Sequence, residues 1–122
     1  MDWDIFIHHE NFYVEIVTRG VADNDGAMRM AKVISETMRK HKITKAVIDH
    51  RNVTGVSGAV ADVYERPTFF RLVGMILGIK IAEIIQPEHL KFFKFLETVC
   101  VNRGFKFSIF YTKDEAMEWL FE

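Results

Sequence analysis

Along this chain, stretches with an apolar period of two give way to stretches with a period near 3.6. Residues 4–8 and 12–18 are rich in β-branched and aromatic side chains. The polar link His9, Glu10 and Asn11 lies between them, so the pattern predicts a β-hairpin. In its second strand Tyr13, Glu15 and Val17 share one face, while Phe12, Val14, Ile16 and Thr18 share the other. Gly20 is expected to end that run. Residues 23–26 (Asp-Asn-Asp-Gly) supply N-cap candidates for a helix over about 27–40. Its apolar positions Ala27, Met30, Ala31, Ile34 and Met38 follow helical spacing. Arg39, Lys40 and His41 sit in its last turn, where positive charge suits the helix dipole.

Residues 45–49 (Lys-Ala-Val-Ile-Asp) read as a central, buried strand. Residues 50–58 read as a polar, glycine-bearing turn. A helix is expected from about residue 59, split in two by Pro67. Residues 80–85 predict the next strand, and Pro87 opens a helix reaching Asn102. Phe92, Phe93, Leu96, Val99 and Cys100 form its apolar stripe, and Gly104 closes it. Lys106–Phe110 is the last predicted strand. Thr112 to Glu115 has the capping-box pattern and opens a helix with Ala116, Trp119 and Leu120 inward.

The predicted order is ββαβαβαβα, a single α/β domain over residues 1–122. The sheet should have about five strands, mixed but mostly parallel, covered by helices. Such sheets take ligands at the carboxyl ends of their strands, which here directs attention to residues 49–58 and to the segments after Ile85 and Phe110.

Composition narrows the function classes. A net charge of −1 over 122 residues is no basic platform for nucleic acid. One cysteine precludes a disulfide within the chain and suits a reducing, cytoplasmic setting. The longest uncharged piece of the apolar stretch, 72–79, falls far short of the roughly 20 residues of a membrane-spanning helix. No His, Cys, Asp or Glu spacing suggests a metal site, and no cofactor motif is present. Cys100, on an apolar stripe, reads as a buried structural thiol.

Three groups of residues draw attention. Asp49, His50 and Arg51, with Thr54, Gly58 and Arg66, are candidates for contacting an anion or a partner. His50 beside Asp49 has the makings of an acid–base pair, but no serine or cysteine can be placed next to it, and Asp49 more simply caps the following turn. Ser57 stands at the expected helix start, as a cap or as a site for an added phosphate. Phe69, Phe70, Val73, Ile76 and Leu77 belong to a segment apolar nearly all round. That excess predicts a homodimer contact or a small apolar or lipid-like ligand.

The element order, the strand Ala46-Val-Ile-Asp49, the turn Val53-Thr-Gly-Val-Ser-Gly58 and the ending Phe110-Tyr-Thr-Lys-Asp-Glu-Ala-Met-Glu-Trp-Leu120 together resemble the SpoIIAA-like, STAS-related domains. The resemblance covers essentially the whole chain. It implies a non-enzymatic regulatory module that works by binding a protein partner. It further implies that Ser57, matching the serine phosphorylated in anti-sigma-factor antagonists, is a switch. Val56 stands where that pattern has an acidic residue. The same broad fold includes lipid-binding relatives, so a carrier or sensor beside residues 67–78 is the alternative.

Overall fold

A computed structural model describes residues 1–58, 60–72 and 78–122, with the side chains of 60, 61 and 69–72 also outside the description. The elements are β1 (Asp2–His8), β2 (Tyr13–Ala22), α1 (Asn24–His41), β3 (Lys45–Val56), α2 (Val60–Leu72), β4 (Lys80–Ile84), a 3₁₀ turn (Pro87–His89), α3 (Leu90–Asn102), β5 (Lys106–Phe110) and α4 (Lys113–Leu120). The order is the predicted ββαβαβαβα. The strands form one mixed five-stranded sheet in the order β1-β2-β3-β4-β5. β1 pairs antiparallel with β2, and every other pair is parallel.

This strand order has a topological consequence. The crossovers β2→β3, β3→β4 and β4→β5 all step in the same direction. Right-handed connections that step one way place their helices on one face. The packing agrees: Val14, Ile16, Ala46, Ile48, Ile81 and Phe107 share a core with Met30, Ile34, Val63, Phe93 and Leu96 of α1, α2 and α3. α4 covers the other face, where Ala116 and Leu120 pack on Tyr13, Val47, Ala82 and Ile84.

Local chemistry fixes the helix ends. Asp23 caps α1, its Oδ1 accepting from the Gly26 N–H at 2.7 Å. Lys42, at φ 56°, closes α1 in the left-handed conformation. Thr112 caps α4 by accepting from the Glu115 N–H at 3.2 Å.

The structure corrects five expectations. Residues 50–56 are strand, not turn, because β2 also runs on through Gly20 to Ala22 and pairs with them. Two register shifts make this fit, one between Val17 and Arg19 and one between Gly20 and Val21. In each, β3 carries one residue more than β2, the mark of a bulge. Gly20, at φ +85°, adopts a conformation that L side chains rarely take. Asp49 therefore lies inside β3 rather than at its end. Pro67 does not divide α2, which is one helix from Val60 to Leu72. A proline inside a helix costs about 3 kcal/mol. Pro67 is fully buried, and that packing offsets the lost hydrogen bond. Finally, Ser57 lies three residues ahead of Val60 instead of capping it.

Among the described residues, no helix is long and apolar enough to cross a membrane.

Candidate functional site

Alternation along β3 separates the candidate residues. Val47 packs under α4, and Asp49, two residues on, faces the same side. Asp49 holds Arg51 through a fork, Nε to Oδ1 at 3.0 Å and a terminal nitrogen to Oδ2 at 2.8 Å, and also accepts the Arg51 N–H. Burial alone would raise the Asp49 carboxyl, but the Arg51 bonds outweigh it and hold it below the ordinary range. Beside it Glu15 takes Lys113 at 3.0 Å and His8 at 2.9 Å. Burial pushes Glu15 up, and those two partners bring it below its usual value. Asp49 and Arg51 thus satisfy each other on a half-open, charged face.

His50 points the opposite way and is 3% exposed. Its ring stacks on Phe93 with centroids 4.8 Å apart. Its Nδ1 lies 2.7 Å from Thr18 Oγ1, and that hydroxyl donates to the Asp49 carbonyl at 3.2 Å. A hydroxyl has one proton to give, so Thr18 must accept from His50 Nδ1–H. His50 Nε2 lies 3.4 Å from Glu83 Oε2. That approach is favourable with a proton between the two atoms. Glu83 is 4% exposed and its Oε1 has no hydrogen-bond partner. Arg66 of α2 is 5% exposed, and its Nε has none either. Burial draws the Arg66 guanidinium below its ordinary range, against the pull of Glu83 and Asp62.

His50, Glu83 and Arg66 border a partly enclosed cavity of about 40 Å³ between the sheet and the three helices. Its remaining walls are largely apolar, among them Met30, Ile34, Ile48, Ile81, Phe92 and Phe107. Cys100 is fully buried, as expected, and burial pushes its thiol up to about 12.

A second concavity opens on the surface. A groove of about 380 Å³ runs between the β3–α2 junction and the start of α3, with Val56, Val63, Phe92 and Phe95 as apolar lining. Gly58, Glu88, His89 and Lys91 complete it. Ser57 is exposed, its N–H bonded to the Ala22 carbonyl at 2.8 Å, and both its chain neighbours line the groove. Gly58, at φ +142°, turns the chain from strand toward helix.

The predicted residues therefore fall into separate places. Ser57 and Gly58 sit at the groove, and His50 and Arg66 meet at the cavity. Asp49 and Arg51 pair on the opposite face. The idea that Arg51 and Arg66 line one anion site fails, because the sheet lies between them. Thr54 is exposed on the bulged end of β3. The side chains of Phe69 and Phe70, and residues Val73, Ile76 and Leu77, lie outside the described residues. Sequence reasoning missed Thr18 and Glu83. Glu83 did carry a signal: a lone charge inside the short apolar strand Lys-Ile-Ala-Glu-Ile.

No family model matches the chain. No curated protein matches it by sequence. Solved structures match it by shape. One is an uncharacterized protein of the DUF3478 family with a SpoIIAA-like fold from Shewanella loihica PV-4. It is 19% identical, with a TM-score of 0.60, covering 98% of this chain and 92% of that one. Another is the anti-sigma factor antagonist SpoIIAA in its unphosphorylated form. It is 16% identical, with a TM-score of 0.56, covering 97% of this chain and 96% of that one. The chain has the SpoIIAA-like fold.

Proposed function

We propose that this chain is a non-enzymatic regulatory module of the cytoplasm that binds a protein partner in the groove beside Ser57. The observation that carries the reading is the groove itself. It is open and apolar-floored, and the two neighbours of an exposed serine form part of its wall. A phosphate on Ser57 would place about two negative charges at its edge, enough to change which partner surface fits. A protein of the same fold is an anti-sigma factor antagonist described in an unphosphorylated form, and this supports a switch of that kind.

The test is a photo-cross-linker at Glu88, on the groove rim, with a control probe at Arg19 on the far face. In the cells that make the protein, the Glu88 probe should give one discrete protein adduct. Ser57→Asp and Phe95→Asp should each remove it. Adducts equally frequent from Arg19, or a Glu88 adduct indifferent to both substitutions, would sink the reading.

A further inference from the structure

Two residues that line the cavity each carry an orphan polar atom. Glu83 Oε1 is an acceptor without a donor, and Arg66 Nε–H is a donor without an acceptor. Both residues are more than nine-tenths buried and both line the cavity. A buried polar atom left unmatched has lost its hydration with nothing in return, so the pair calls for an occupant.

The chemistry of the two atoms selects the head of that occupant. A carboxylate satisfies Arg66 but sets its own oxygens against Glu83 Oε1. An ammonium satisfies Glu83 and faces Arg66 with like charge. A hydroxyl serves both with one oxygen, accepting from Nε–H and donating to Oε1. The other walls, including Met30, Ile34, Ile48 and Ile81, ask for carbon.

We propose that the cavity is a binding site for a hydroxyl-bearing apolar molecule, its oxygen between Arg66 and Glu83 and its carbons against the core methyls. About 40 Å³ holds the head and the first carbons only. It is far below the roughly 150 Å³ of a cavity that takes benzene. Phe92 supplies the room for more. Its side chain borders both the cavity and the groove, and the Arg66 guanidinium lies 5.6 Å from its ring centre. Turning Phe92 outward joins the two spaces, so a longer chain runs from Glu83 into the groove over Val63 and Phe95. Occupancy would then alter the groove. This coupling rests on the groove's role as a partner surface; the cavity site does not.

The experiment is methyl NMR on the full chain, labelled at methionine and isoleucine and titrated with n-butanol, n-hexanol, butyrate and butylamine. Saturable shifts at Met30, Ile34, Ile48 and Ile81 are expected with the alcohols, tighter for n-hexanol. Butyrate and butylamine should bind at least about tenfold more weakly, the loss expected when a buried hydrogen bond goes unmade. Phe92→Ala should strengthen n-hexanol more than n-butanol. A Glu83→Leu, Arg66→Met double variant, checked for folding by circular dichroism, should lose the preference for alcohols over acids. Absence of saturable shifts with every probe, meaning ordered water only, would overturn the site. So would equal binding of butyrate, or shifts confined to groove residues. Alcohol binding without a Glu88 cross-link would sink the partner reading and leave the cavity site standing.

Discussion

At the scale of single residues, stability should be lost where one side chain answers a backbone group or a charge. Asp23 caps α1, and Asp23→Ala should cost about 1 kcal/mol, read as a lower denaturant midpoint at unchanged slope. An unaltered midpoint would show that the cap contributes nothing. Asp49 and Glu15 titrate below their ordinary values in the folded chain. Each therefore favours folding above the unfolded carboxylate pKa, and that contribution disappears as pH falls through the lowered folded value. Asp49→Asn should lower the urea midpoint at about pH 7, and the difference should shrink as pH falls below the ordinary carboxylate range. A pH-independent difference would argue against an ionic role. Cys100 should resist thiol reagents in the native state and react on unfolding, since its thiol is buried and held near 12. Rapid native labelling would contradict its placement.

At the scale of elements, the patterns that were legible are those that burial enforces. The helical spacing in α1 and α3 and the capping residues Asp23 and Thr112 all mark elements found in the structure. The end of β3 was not legible, for a physical reason. β4 pairs with β3 only as far as Asp49, opposite Ile84. Beyond that point β3 has β2 as its one neighbour, with Arg51, Asn52 and Thr54 exposed, so no apolar alternation advertises a strand. The placement of Ser57 as a cap was lost with that boundary. His50 and Arg66 were singled out as polar residues, yet nothing local shows that a bulge and a buried helix face bring them to one cavity. Pro67 misled for the opposite reason, since tertiary burial overrode its local preference. α4, only eight residues long, depends on docking. Leu120 is fully buried beneath it, and Leu120→Ala should cost about 2–5 kcal/mol. Amide exchange should rise first in α4. Exchange spread evenly over the domain would show that α4 does not open separately.

At the scale of the whole molecule, the strands run in sequence order, so the sheet has no switch point where helices part to leave a crevice. Three helices share one face, and the space that remains lies beneath them, around Glu83, His50 and Arg66. Such a cluster is a poor way to stabilise a core, because desolvating charged groups costs several kcal/mol each. If it is there to hold a ligand, stability and binding should respond to it in opposite directions. Glu83→Leu alone removes Arg66's main opposing charge and strands His50 Nε2, and should destabilise by about 3 kcal/mol. Adding Arg66→Met removes the remaining buried charge and should restore the midpoint to that of the wild type or above, while the preference for alcohols over acids is lost. Chemical denaturation of the two variants beside the wild type checks this. A double variant weaker than the single would mean that the charges hold the fold together, and the case for a ligand at their centre would fall with it.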